Sequence, residues 1–138
     1  MAGYSGKSLA QKLGIKSGAR MVVLNAPAGY WNLIGPPPQG LTMADADLGP
    51  VDIVHVFVKD SKTLAQGLAA LRERIAPNGM IWVSWPKRSS GVATDLDENA
   101  IRAMALSAGL VDVKVCAVDE TWSGLKLVIR RRDRSLPP

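Results

Sequence analysis

The chain has few of the residue types from which metal sites and covalent catalysts are usually built. Its 138 residues include one cysteine, Cys116, and one histidine, His55. A single cysteine excludes a disulfide within the chain and a metal site made of several cysteines. A lone histidine without carboxylates at ligand spacing offers no metal site either, and no nucleophile is paired with a base. We therefore predict no metal and no catalytic residue.

Long apolar runs are also missing. None reaches the roughly 18 residues that a membrane-spanning helix needs, and the polar N-terminal residues show no apolar core of a secretory signal. Together with the single cysteine, this favours a protein of the reducing cytoplasm that has no membrane partner.

Acidic residues are fewer than basic ones: the chain has 12 Asp and Glu and 17 Lys and Arg, which gives a net charge of +5. Much of the excess lies in Arg130-Arg131-Arg132-Asp133-Arg134, which is typical of a solvated strand end and tail. A basic surface attracts phosphates and nucleic acids. Nucleic-acid modules more often interleave basic and aromatic residues along one element, and such a pattern is absent here. Nucleic acid is therefore not the expected partner, although a basic, nucleic-acid-associated protein stays open as an alternative.

The rest of the composition is typical of an ordinary globular domain. Hydrophobic residues make up 47% of the chain, and domains commonly run to about 100–150 residues. We predict a single domain over residues 1–138, with an N-terminal arm and short helix in 1–17 and a basic tail in 131–138.

Apolar patterning predicts alternating strands and helices. Near-continuous apolar runs are typical of strands covered on both faces, and apolar residues three and four apart indicate helices. The predicted strands are 21–24, 51–58, 80–85, 111–118 and 125–130, and the predicted helices are 8–15, the segment starting at Asp60 or Ser61, and the segment starting at Thr94 or Asp95. This order implies a mainly parallel α/β sheet with right-handed crossovers and a C-terminal antiparallel hairpin.

Two helix starts carry capping signals. Asp60 or Ser61 is placed to cap the second helix. Asp95 with Glu98 three residues later fits a capping box for the third.

Residues 26 to about 50, between the first two predicted strands, are expected to be mostly loop. This segment contains Gly35-Pro36-Pro37-Pro38-Gln39-Gly40, and consecutive prolines favour extended polyproline geometry over helix or sheet. Residues 41–46 could hold a short strand.

The order of elements resembles the C-terminal half of the class I methyltransferase fold. In that family an acidic residue begins the fourth strand and a glycine precedes the fifth, which match Asp52 and Gly79 here. The lead-in to the first strand, residues 16–24, is also similar. The resemblance implies a Rossmann-like sheet with helices on both faces.

Whole segments resemble a family of small bacterial proteins known only as a domain of unknown function. The matching segments are Tyr4-Ser5-Gly6-Lys7, Lys12-Leu13-Gly14-Ile15-Lys16, Trp82-Val83-Ser84-Trp85-Pro86-Lys87, Val111-Asp112-Val113-Lys114-Val115-Cys116 and Thr121-Trp122-Ser123-Gly124-Leu125-Lys126. This resemblance implies no activity.

The chain departs from the methyltransferase pattern where S-adenosylmethionine would bind. The turn Asn25-Ala26-Pro27-Ala28-Gly29 lacks the glycine-rich loop. Asp45 and Asp47 could imitate the carboxylate that holds the ribose. About 25 residues separate Asn25 from Val51, where two strand–helix units would need roughly 60. We therefore expect the adenosine half to be missing or minimal, the turn to be structural, and S-adenosylmethionine to be a disfavoured cofactor.

Candidate binding residues follow the carboxyl ends of the strands, where ligands of open α/β sheets bind. Cations there could hold an anionic group and tryptophans could stack on a ring. The candidates are Asn25, Lys59, Trp85, Lys87, Arg88 and Trp122. An alternative is that these loops are simply polar and that the tryptophans close the ends of the core.

Three other features are assigned to structure. His55 lies within an apolar strand and is predicted to be packed with one satisfied nitrogen. Cys116 is predicted to be a small core residue. Residues 3–8 imitate a phosphate loop, but Met1 stands where its first glycine should be, and no strand precedes it.

These observations favour a non-catalytic or degenerate methyltransferase-like domain that binds a small anionic ligand or a protein partner. The alternative is a small S-adenosylmethionine-dependent methyltransferase with an atypical cofactor loop. A shortened sheet would leave the first strand or residues 41–46 as an edge, through which a homodimer could form.

Overall fold

The computed structural model describes residues 8–44 and 49–134, which form one six-stranded sheet with helices on both faces. The strands are β1 (Arg20–Leu24), β2 (Thr42–Met43), β3 (Val51–Phe57), β4 (Ile75–Pro86), β5 (Leu110–Ala117) and β6 (Trp122–Ile129). The helices are α1 (Leu9–Lys12), α2 (Tyr30–Ile34), α3 (Ser61–Arg74) and α4 (Glu98–Ser107), and short 3₁₀ turns cover Arg88–Ser90 and Arg131–Asp133.

The sheet has the strand order β2-β1-β3-β4-β6-β5. The first four strands in this order pair in parallel, whereas β6 pairs antiparallel with both β4 and β5. The predicted mainly parallel α/β sheet with a C-terminal antiparallel hairpin is confirmed. Among the described residues, no helix is long and apolar enough to cross a membrane.

Two apolar layers cover the central strands. One layer joins the sheet to α3 and α4 and includes Leu64, Leu68 and Ile101. The other joins the opposite face to α1 and α2 and includes Leu13, Tyr30 and Ile34. Because β3 and residues 80–85 of β4 are covered on both sides, their sequences are near-continuous apolar runs.

Helix α3 begins as the sequence predicts. The Asp60 carboxylate accepts hydrogen bonds from the Thr63 N–H at 2.8 Å and from the Thr63 hydroxyl at 2.9 Å. These bonds hold the pKa of Asp60 below its ordinary value, the backbone bond having the largest effect. The helix ends at Arg74, and Ile75 already belongs to β4.

The predicted start of α4 is wrong by two to three residues. Asp97 is the N-cap, and its carboxylate accepts from the Ala100 N–H at 2.7 Å. The Asp95 carboxylate instead accepts from both the N–H and the hydroxyl of Ser61, each at 2.8 Å. A tertiary contact to α3 therefore takes the side chain that the local pattern assigned to capping.

The loop prediction for residues 26–50 misses a helix. Tyr30 and Ile34, four residues apart, are buried on one side of α2, and this burial outweighs the breaking effect of the neighbouring prolines. The short strand expected in residues 41–46 is present as β2, which pairs in parallel with β1. Within the described chain, the edge strands are therefore β2 and β5, and β1 is not an edge. Asp45 and Asp47 lie outside the described residues.

Candidate ligand-binding cleft

A cleft of about 440 Å³ opens at the carboxyl ends of β1 and β3. Asn25 and Lys59 follow these two parallel neighbours, so both residues reach the same edge of the sheet. Trp122 begins β6, and its pairing with Pro86 at the end of β4 brings it to that edge as well. The volume lies within the range of small-molecule sites, about 300–1,000 Å³.

Aromatic and apolar side chains form one side of this cleft. The Trp122 ring meets the Phe57 ring edge to face, with centroids 5.0 Å apart. Phe57 and Val58 are buried, whereas Trp122 is only half-buried. Pro27 adds a rigid apolar surface from the turn after β1. The arrangement can hold a planar apolar group against the Trp122 ring.

Polar groups form the rest of the lining. Lys59 and Asn25 are exposed there, and Asn25 adopts a left-handed conformation with φ of 58°, which asparagine tolerates better than most residues. The first turn of α3 is already capped, because the N–H groups of Ser61 and Thr63 bond to carboxylates. The Asp60 carboxylate also lines the cleft, and both of its oxygens accept hydrogen bonds from Thr63. An anionic group in this cleft would therefore rely on Lys59 rather than on helix amides.

A second cleft, of about 500 Å³, holds two others of the predicted residues, Trp85 and Arg88. Trp85 is buried in the layer with α3 and α4, whereas Trp122 packs in the opposite layer. The loop lining this cleft is tied to the start of α3 by the bond from the Thr94 hydroxyl to the Lys59 carbonyl and by the Asp95–Ser61 contact.

The six predicted residues therefore do not converge on one site. Asn25, Lys59 and Trp122 line the first cleft, and Trp85 and Arg88 line the second. Lys87 lines neither, and its N–H donates to the Thr121 carbonyl at 2.7 Å. Sequence reasoning missed five other lining residues of the first cleft, although each lies within four residues of a predicted one: Pro27, Phe57, Val58, Asp60 and Thr63.

A buried polar chain lies beside the first cleft. The Tyr30 hydroxyl contacts His55 Nδ1 at 2.8 Å, and His55 Nε2 contacts the Ser84 hydroxyl at 2.8 Å. His55 is packed as predicted, but both of its nitrogens have partners rather than one. Burial lowers the pKa of His55 to about 3 and raises the pKa of Tyr30. The ring is 0% exposed and stacks on Phe57, so it cannot reach a ligand as a base.

The residues after β1 lack the glycine-rich loop with which the methyltransferase fold holds its adenosine cofactor. Ala26 and Ala28 carry side chains where close backbone approach needs glycine, and Pro27 has no N–H to donate. The helix that follows has only five residues, and no side chain caps its start at Gly29. Strand β2, which would present the ribose-binding carboxylate, is two residues long.

A comparison with known protein families identifies the family of this chain. The family model described as "Protein of unknown function (DUF3052)" matches residues 39–131. The chain belongs to this family. The predicted membership of a family of unknown function is thus confirmed, and no curated protein matches the chain in sequence.

Solved methyltransferases share the fold of this family member. A SAM-dependent methyltransferase from Aquifex aeolicus has a TM-score of 0.60 at 12% identity, covering 87% of each chain. The ribosomal protein L11 methylase from Lactobacillus delbrueckii subsp. bulgaricus has a TM-score of 0.58 at 10% identity, covering 88% of this chain and 74% of that one. Aeropyrum pernix fibrillarin, solved with S-adenosyl-L-methionine, has a TM-score of 0.57 at 17% identity, covering 87% and 73%. The predicted Rossmann-like, methyltransferase-like fold is confirmed.

Proposed function

We propose that this domain is a non-catalytic relative of the methyltransferases that binds a small anionic ligand with a planar ring in the first cleft. The observation that carries the proposal is the placement of the half-buried Trp122 ring and the exposed Lys59 on one cleft of about 440 Å³. The ring supplies a stacking surface and the ammonium group supplies the charge that an anionic substituent needs.

The absence of a methyl-transfer role is inferred from the turn after β1. Methyl transfer depends on holding cofactor and acceptor in position, and Ala26, Pro27 and Ala28 give the cofactor no glycine-rich cradle. The sole histidine of the sequence is sealed in the core. A methyltransferase with an atypical cofactor loop remains the alternative, because the cleft lies at the strand ends where that fold binds ligands.

Calorimetric titration with S-adenosylmethionine separates the two functions. We expect no binding up to millimolar concentration. A dissociation constant in the micromolar range, reproduced with S-adenosylhomocysteine, would contradict the non-catalytic assignment and favour the alternative.

The cleft itself is tested with 1-anilinonaphthalene-8-sulfonate, which joins aromatic rings to a sulfonate, and with the uncharged 1-anilinonaphthalene. We expect Trp122→Ala to weaken binding of both probes about fivefold, which corresponds to roughly 1 kcal/mol of aromatic contact. Lys59→Gln should weaken only the sulfonate, by about two- to fivefold. The matched control is Lys62→Gln, which removes an exposed charge three residues away on α3.

Equal affinity of wild type, Trp122→Ala and Lys59→Gln for the sulfonate would place the ligand elsewhere. An effect of Lys62→Gln as large as that of Lys59→Gln would show that net charge, rather than the cleft, governs binding.

A further inference from the structure

Strand register brings lysines that are distant in sequence onto one face of the sheet. Lys114 on β5 pairs with Lys126 on β6, and Lys126 pairs with Trp82 on β4. Because side chains of directly paired residues point to the same face, both lysines share the face of Trp82. That face is also the one that α1 and α2 cover.

The segment after α1 borders the two lysines. The Trp82 indole N–H donates to the Leu13 carbonyl at 2.8 Å, and the Lys114 ammonium donates to the Lys12 carbonyl at 3.3 Å. These bonds fix the end of α1 on the sheet beside Lys126. Lys16, four residues after Lys12, is exposed.

The C-terminal segment supplies a fourth cation. After the 3₁₀ turn, Arg134 folds back and its Nε donates to the Ile129 carbonyl at the end of β6, at 2.7 Å. Burial, and after it the positive charges of Lys114, Lys16 and Arg134, lower the pKa of Lys126. Lys114, Lys16 and Arg134 therefore each lie close enough to Lys126 for their positive charges to repel it. We call Lys16, Lys114, Lys126 and Arg134 the basic face.

The carboxylates nearest in sequence to the basic face are engaged elsewhere. Asp112 pairs with Arg102 at 3.0 Å, and Asp133 pairs with Arg130 at 3.1 Å. In residues 8–44 and 49–134, no ion pair joins a carboxylate to a member of the basic face. No ion pair among the described residues therefore compensates the positive charges around Lys126, as expected of a surface that receives an anion from outside.

We propose that the basic face binds the phosphate backbone of nucleic acid without reading its sequence. Trp82, the aromatic residue beneath this face, is 1% exposed, so it offers no ring on which a base could stack. Protein partners normally need an apolar core within the interface, whereas a backbone of closely spaced phosphates needs only cations. This proposal uses none of the residues that line the first cleft, so the two proposals can fail separately.

Fluorescence anisotropy with a labelled 20-base-pair DNA duplex, measured from 25 to 200 mM salt, tests the proposal. Each phosphate contact contributes about −0.9 to the slope of the logarithm of the association constant against the logarithm of the salt concentration. Four contacts should therefore give a slope of about −3.6. Lys126→Gln and Lys16→Gln should each reduce the slope by about 0.9 and weaken binding roughly tenfold at 50 mM salt. Lys16 is exposed, so the Lys16→Gln variant still tests the proposal if Lys126→Gln disturbs folding.

Lys62→Gln is the matched control, because it removes one exposed charge from the opposite layer, on α3, and should leave the slope unchanged. Absence of duplex binding at 25 mM salt would overturn the proposal. So would a Lys62→Gln effect equal to that of Lys16→Gln. Binding of polyglutamate as tight as that of the duplex would identify an acidic protein as the partner and overturn it as well.

Discussion

Removing the buried chain Tyr30–His55–Ser84 should remove most of the acid sensitivity of the fold between pH 7 and pH 5. The perturbation is the triple substitution Tyr30→Phe, His55→Phe and Ser84→Ala. In the native protein both ring nitrogens of His55 have hydroxyl partners at 2.8 Å, and the ring is 0% exposed. A neutral ring suits these partners, whereas a protonated ring would place a charge in the core without a carboxylate bonded to it.

The sign and magnitude follow from the two pKa values of His55. Burial lowers its pKa to about 3 in the folded protein, while the unfolded chain has an ordinary value of about 6.5. As pH falls, His55 is therefore protonated in the unfolded state before the folded state. Its contribution to the free energy of unfolding is fully present above about pH 6.5 and is lost as pH falls toward 3. Each pH unit below the unfolded-state pKa corresponds to about 1.4 kcal/mol. The titration of His55 alone should therefore lower the free energy of unfolding by about 2 kcal/mol between pH 7 and pH 5.

Urea unfolding at pH 7, 6 and 5, followed by tryptophan fluorescence, measures this loss. The stability of the wild type should fall by about 2 kcal/mol more than that of the triple variant over this range. The pKa of Asp60 is held below its ordinary value of 3.8, so this carboxylate changes charge below the range. As a further control, His55→Phe alone leaves two buried hydroxyls unpaired and should cost about 1–3 kcal/mol for each at pH 7. Parallel curves for wild type and triple variant would refute the reasoning.

Three further predictions concern local stability and are checked by the same urea method at pH 7. Asp97→Ala should cost about 1 kcal/mol, because it removes the cap of α4, and Asp97→Asn should cost less; equal losses would contradict the capping assignment. Gly79→Ala should cost about 1–3 kcal/mol, because its Cβ would lie 3.0 Å from the Ala76 carbonyl oxygen. In Gly67→Ala on α3, the added Cβ would meet nothing within 4 Å, so this variant should be more stable by up to about 1 kcal/mol. A change of the same sign at both glycines would be inconsistent with this account. Trp82→Phe should cost about 1–3 kcal/mol, since it leaves a buried carbonyl at the end of α1 unpaired; an unchanged midpoint would argue against that bond.

The central part of the fold is predictable because its signals are local. Strand β3 and residues 80–85 of β4 are near-continuous apolar runs, and such runs identify strands that are covered on both faces. Asp60 caps α3 through a contact three residues away. The antiparallel β5–β6 pair follows from the short connection without a helix. In each case, the residues that decide the structure lie close together in sequence.

The remaining features depend on contacts between distant segments. Asp95 bonds to Ser61 rather than capping α4. Helix α2 is too short to show periodicity, and its buried residue Tyr30 contacts His55, which is distant in sequence, on β3. The basic face depends on the β5–β6 register and on the position of α1, and of the run of arginines near the C-terminus only Arg134 belongs to it.

The turn after β1 explains how the methyltransferase fold can persist here without its glycine-rich loop. In that fold the loop serves the cofactor, and glycine is needed where backbone approaches a phosphate or ring closely. Here the residue that follows the turn, Tyr30, packs edge to face on Phe57 with centroids 5.9 Å apart and bonds to His55. The residue that follows the turn is thus anchored in the core. A turn that ends on such an anchor needs no cofactor to fix its end, which is why the proposed ligand contacts are Lys59 and Trp122, while Asn25 and Pro27 of the turn line the same cleft.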